Sequence, residues 1–158
     1  MPAITPCLWF DTQGEEAATF YVSVFPNSRI VNTSYYGEAG PRPAGSVLTV
    51  EFELDGHPFT ALNGGPDFTF NEAISFQIDC SDQDEVDRYW STLTAEGGEE
   101  GPCGWLKDRF GLSWQVVPRR LSELLADPDA GRSQRAMQAM LGMRKIDIAG
   151  LEAAADAG

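Results

Sequence analysis

Leu48, Val50, Phe52 and Leu54 alternate with polar positions inside residues 46–63, and Asp55-Gly56 interrupts the run. Period-two alternation broken by an Asp-Gly pair predicts a β-hairpin. Upstream, residues 3–10 read as a strand bounded by Pro2 and by the turn-like Asp11-Thr12-Gln13-Gly14. Ala17, Phe20, Tyr21, Val24 and Phe25 fall at helical spacing, predicting an amphipathic helix from about Glu15 to Phe25 that Pro26-Asn27 ends. A strand near Arg29 to Tyr36, then a Gly/Pro-rich loop from Gly37 to Gly45, lead into the hairpin. Asn63-Gly64-Gly65-Pro66 breaks the chain.

The same plan recurs over residues 73–118. A strand from about Ala73 to Cys80 precedes a helix that Asp82 caps, with Glu85 three residues on as its capping-box partner. Val86, Tyr89, Trp90 and Leu93 form the apolar stripe of that helix, and Gly97-Gly98 stops it. Strands near Pro102 to Lys107 and Leu112 to Pro118 follow, joined by Asp108-Arg109-Phe110-Gly111. An offset of 69 superimposes Phe20-Tyr21 on Tyr89-Trp90, Glu16 on Glu85 and Ala17 on Val86, as an internal repeat requires. After Pro118 the pattern turns helical, with stripes at Leu121, Leu124, Leu125; at Met137, Met140, Leu141; and at Ile148, Leu151, Ala155. The Met-bearing stripe is read as core or subunit contact, with a lid over a cavity as the alternative.

Composition narrows the function classes. A net charge of -13 opposes binding to nucleic acid or to an anionic membrane, which need positive surfaces. No apolar run is long enough to span a bilayer, and the start, MPAITPCLWF, carries no basic segment of the kind that opens a secretory signal. Cys7, Cys80 and Cys103 match no zinc spacing and are expected to be reduced thiols in a cytoplasm. Residues 1–118 hold 5 basic and 18 acidic side chains, whereas residues 119–145 hold 6 basic and 3 acidic. That basic segment either pairs with an acidic body, its own or a partner subunit's, or is a solvated helix face.

Four stretches resemble the PhnB-like branch of the vicinal oxygen chelate (glyoxalase) superfamily, whose members are often labelled 3-demethylubiquinone-9 3-methyltransferase. They are Phe20-Tyr21 through Phe25; Ala61-Leu62-Asn63-Gly64-Gly65-Pro66; Asp87-Arg88-Tyr89-Trp90 with Gly104-Trp105-Leu106-Lys107-Asp108; and Phe110-Gly111-Leu112-Ser113-Trp114-Gln115-Val116-Val117-Pro118. Met143-Arg144-Lys145-Ile146-Asp147-Ile148 fits as well. The resemblance implies an α+β fold of paired βαβββ modules, about 1–66 and 72–118, forming one domain over 1–118. Residues 119–158 then add a C-terminal helical extension to that domain. It also implies a sheet-lined cavity and a homodimer.

In metal-using relatives four strand positions carry ligands, and by matching strands these fall near Pro6, Asn63, Ala73 or Ser75, and Gln115. Only Gln115 is a usual ligand type, and a hard divalent cation needs several anionic or imidazole donors. No cofactor is therefore expected, a weak divalent-metal site being the most this set would provide. His57, the sole histidine, sits at the hairpin tip and is read as a solvated turn residue. Asn63 and Gln115 are the candidate polar contacts to a ligand, because amides both donate and accept, and the Ser75 hydroxyl is a weaker candidate of the same kind. Trp105 and Trp114 are candidate apolar walls. The Cys103 thiol would need Lys107 or Arg109 to activate it. No phosphate-cradling glycine motif occurs, and Gly64-Gly65-Pro66 suits a strand connection better than an S-adenosylmethionine loop. The preferred expectation is a small, partly apolar organic ligand bound without a tightly held metal. The alternatives are a divalent-metal lyase or dioxygenase of the same superfamily, and a non-catalytic dimeric interaction module.

Overall fold

The structure is a computed structural model describing residues 3–158; Met1 and Pro2, the expected boundary of the first strand, lie outside the described residues. The fold is mixed α+β, with two four-stranded sheets and five α-helices among the described residues. The chain divides into two compact units, Met1–Phe70 and Asn71–Gly158.

In the first unit, β1 (Cys7–Phe10), α1 (Gly14–Val24), β2 (Arg29–Tyr35), β3 (Val47–Leu54) and β4 (His57–Asn63) form a sheet in the order β1-β4-β3-β2. β1 runs parallel to β4, and the other neighbours are antiparallel. The alternation of Val50, Phe52 and Leu54 puts all three in the core, where Phe52 stacks against Tyr21 of α1 and Phe59 of β4. Tyr21 and Phe52 are fully buried, and side chains of this size contribute about 1.5–3 kcal/mol each on burial. His57 is an exposed first residue of β4 rather than a turn residue.

The second unit repeats the order. β5 (Ser75–Cys80), α2 (Gln83–Thr94), β6 (Glu99–Glu100), β7 (Trp105–Lys107) and β8 (Ser113–Pro118) assemble as β5-β8-β7-β6, again with the first strand parallel to the last. The Asp82 cap forms as expected, its carboxylate accepting from the Glu85 backbone N–H at 2.9 Å, while the Glu85 carboxylate reaches one residue past the cap to accept from the Ser81 N–H at 2.8 Å. Three boundaries differ from the sequence reading, the first being β1, which begins at Cys7 and leaves residues 3–6 outside any strand. Glu99 and Glu100 pair with Lys107 and Leu106 as a short edge strand, and residues 102–104 form a turn instead of starting β7. Cys103 and Gly104 both adopt positive φ there, a geometry that cannot continue a strand.

The C-terminal helices α3 (Arg119–Leu125), α4 (Ala130–Leu141) and α5 (Ile148–Asp156) bury their own cluster of Leu121, Leu124, Ala136, Ile146, Leu151 and Ala155. The segment between α4 and α5 is tied to the rest of the unit. Met143 and Arg144 carbonyls accept from the Cys103 and Gly104 backbone N–H groups, each at 2.8 Å. Gln83 closes a second bracket, donating to the Ile146 carbonyl at 2.9 Å and accepting from the Ile148 N–H at 2.8 Å. The basic residues of this region pair with acidic residues of the same unit: Arg119 with Asp79, Lys145 with Asp87, and Arg144 with Glu100.

Candidate functional site

Successive side chains of a strand point to opposite faces, so one face of the second sheet can be read from burial. Trp114, Val116 and Pro118 are buried on the side that packs against α2, with Leu106 opposite Trp114. Ser113 and Gln115 occupy the other face. Cross-strand register places Lys107 and Ser75 opposite Ser113, and Trp105 opposite Gln115.

Polar groups on this open face are partly committed to one another. Gln115 donates from Nε2 to the Ser75 hydroxyl at 2.8 Å. The Lys107 ammonium pairs with the Glu72 carboxylate. Their hydrogen bond holds Glu72 below the usual carboxylate range and raises Lys107 above the usual ammonium value, so both are charged near neutrality. The Ser113 side chain is different. It is 1% exposed, and its hydroxyl has no hydrogen-bond partner among the described residues. An unpaired buried hydroxyl costs roughly 1–3 kcal/mol, which makes it a group that a ligand's donor or acceptor would satisfy. Beside it lies a cavity of about 450 Å³, lined by Trp105, Lys107, Ser113, Glu72, Leu106 and residues 99–102. That volume falls in the range of small-molecule pockets.

The expected site residues are distributed unevenly. Trp105 lines the cavity; Ser75 and Gln115 stand on the same sheet face and bond each other. Trp114 faces α2 instead, where its indole N–H donates to Asp108 Oδ2 at 2.9 Å and its ring lies 5.6 Å from Phe76. Asn63 belongs to the first unit. Its Oδ1 accepts from the Gly14 N–H at 2.7 Å, its Nδ2 donates to the Val47 carbonyl at 3.2 Å, and its own carbonyl accepts from Tyr36 at 2.6 Å. A Cβ on Gly14 would stand 2.7 Å from that Oδ1, so the amide pins the first turn of α1 against β4. The first unit has its own cavity of about 570 Å³ near this turn, with Tyr36, Arg42 and Asn63 in its wall. Ser113, Lys107, Glu72 and Glu99 were not singled out as ligand contacts from sequence. The alternation that marks Gln115 also marks Ser113, two residues earlier.

The cysteines carry no activated thiol by geometry. Burial raises the Cys7 thiol and, helped by nearby carboxylates, pushes Cys80 up to about 12. Lys107 and Arg109, the expected activators of Cys103, are paired with Glu72 and Glu96. Gly64 and Gly65 are packing glycines: a Cβ on Gly64 would lie 2.4 Å from the Trp9 ring, and Trp9 Nε1 donates to the Gly65 carbonyl at 2.8 Å. Among the described residues no three His, Cys, Asp or Glu side chains gather as a metal site. Ser75 and Gln115 are neutral donors already bonded to each other, and Asn63 is spent on backbone groups. This donor set does not fit a hard divalent ion.

Two βαβββ units with the same strand order, each pairing its first strand parallel to its last, define the glyoxalase, or vicinal oxygen chelate, class of fold. A profile of the 3-demethylubiquinone-9 3-methyltransferase family matches residues 2–117, and the chain belongs to that PhnB-like family. Among solved structures it is similar to a PhnB protein from Bacillus cereus that carries the same methyltransferase name, at 33% identity and TM-score 0.66, covering 74% of this chain and 99% of that one. It is similar in fold to protein PA1353 from Pseudomonas aeruginosa, at 20% identity and TM-score 0.60, covering 75% and 98%. The fosfomycin resistance protein FosX from Listeria monocytogenes shares the fold at 13% identity and TM-score 0.51, covering 75% and 93%. A comparison with curated proteins returns no match.

Proposed function

We propose that this protein binds a small, partly apolar organic molecule on the open face of its second sheet, without a tightly held metal. The observation that carries this reading is the unpartnered, buried Ser113 hydroxyl beside a cavity walled by Trp105. The indole supplies apolar area, Ser113 a free donor and acceptor, and the Ser75–Gln115 pair an adjacent polar strip. The paired glycines form no cofactor loop of the kind the family's methyltransferase name suggests: Gly64 packs on the Trp9 ring and Gly65 on the Arg42 guanidinium.

A thermal-denaturation screen of small organic metabolites in the presence of a chelator tests the reading. Stabilisation by an organic compound in the wild type, lost in Trp105→Ala, is the expected result. Stabilisation by divalent metal alone would contradict it.

The proposal includes a homodimer in a reducing cytoplasm. Three unpaired cysteines support the compartment. Ile30, Val31 and Tyr35, exposed on the edge strand β2, support association. Light scattering on the full chain measures the latter directly. Among the described residues no helix is long and apolar enough to cross a membrane.

A further inference from the structure

The charge and shape of the second-unit cavity restrict its ligand further. Glu99 is opposite Lys107 in the β6–β7 register, so both project from the open face that also carries Trp105. Lys107 is paired with Glu72, and the nearby Glu99 carboxylate also acts on it, so one ammonium is shared between two carboxylates. The other acid in the wall, Glu100, accepts a hydrogen bond from Trp90 Nε1 at 2.6 Å and is thereby directed toward the helix side.

One residue beyond β6, the Gly101 N–H donates to the Trp105 carbonyl at 2.8 Å, which sets a glycine across from Trp105. A Cβ on Gly101 would stand 2.8 Å from that carbonyl oxygen and 3.4 Å from Trp105 Cβ. Gly101 therefore places no side chain beside Trp105 in the cavity wall. Ser113 adds a buried hydroxyl without a partner in the same wall.

We infer that the ligand is an organic cation: a flat apolar group seated on Trp105 over Gly101, bearing an amine that reaches the Glu99 carboxylate. The inference rests on the cavity being the binding site proposed above. The carboxylate favours an ammonium, and the indole favours the flat group that carries it. An anion of the same shape meets Glu99, and the one lysine in the wall is already engaged by Glu72.

Tryptamine, tryptophol and indole-3-acetate share one ring and differ in charge, so calorimetric titration of the full chain with each separates shape from charge. The expected order is tryptamine tightest, about fivefold over tryptophol, a modest factor because Glu99 is exposed and screened. Indole-3-acetate is expected to bind weakest. Glu99→Gln should bring tryptamine down to the tryptophol affinity of the same variant, and added salt should erode the same preference. Equal affinities for all three at this cavity, or tightest binding of the acetate, would overturn the cationic ligand and leave the binding site standing. If none binds, or if Trp105→Ala leaves all three affinities intact, the site reading itself fails.

Discussion

Gln115 Nε2 donates to Ser75 Oγ at 2.8 Å, joining the last strand of the second unit to its first across the open sheet face. Forty residues separate the two in sequence, and the parallel β5–β8 pairing brings them together. The bond also explains why these positions make a poor ion site: each neutral donor is already occupied by the other. Gln115→Leu should remove the bond and lower stability by about 1 kcal/mol, read from chemical denaturation. It should leave the fold intact by circular dichroism, because Ser75 is only half-buried and water can replace the lost donor.

Gly104 is a sharper test of how the extension is attached. Its φ of +85° disfavours any side chain, and an added Cβ would lie 2.9 Å from the Val116 carbonyl and 3.2 Å from Ile146. Gly104→Ala is expected to cost about 2 kcal/mol or more, combining backbone strain with displacement of residues 143–146. Hydrogen exchange should locate the damage at the Cys103 and Gly104 amides. Gln83→Ala should expose the same segment more gently, because it removes two bonds to residues 146 and 148 without backbone strain.

Much of this organisation is legible in sequence, because it depends on local periodicity. The Asp55-Gly56 hairpin, the Asp82 cap and the three C-terminal stripes become elements where the pattern places them. The site is harder to read for a physical reason. Asn63 and Trp114 are polar or amphipathic residues near strand ends, and such residues serve a cavity or a local backbone group equally well. Only long-range register decides, and it turns Asn63 toward the start of α1 and Trp114 toward Asp108. Ser113 hides for the opposite reason: serine in a strand carries no strong signal until its burial and lack of a partner are known.

Acid should loosen the extension before it unfolds the unit. Hydrogen bonds from Gln83 and Lys145 hold the Asp87 carboxyl below its ordinary 3.8. A depressed carboxyl contributes stability above its ordinary value, and that contribution is lost as pH falls through the lower folded value. Exchange protection of residues 143–148 should therefore be constant above pH 5 and decline below about pH 4. Asp87→Asn should flatten this part of the profile.

Thiol reactivity should sort by burial. Cys80 is fully buried, and its thiol is pushed up to about 12, so at pH 8 it holds almost no thiolate. Iodoacetamide should modify Cys7, which is exposed, while Cys80 reacts only after denaturation. Peptide mass mapping of the labelled native protein reads the difference.

The central claim is that the face carrying Trp105, Ser113 and Gln115 takes an organic ligand without a metal. An amide-resolved magnetic-resonance screen of a fragment collection, run with a chelator present, tests it most directly. The expected result is a set of fragments that shift amides of residues 99–107 and 113–115 and lose that effect in Trp105→Ala. Fragments that shift these amides only after a divalent ion is added, or a full collection that leaves them unmoved, would contradict it.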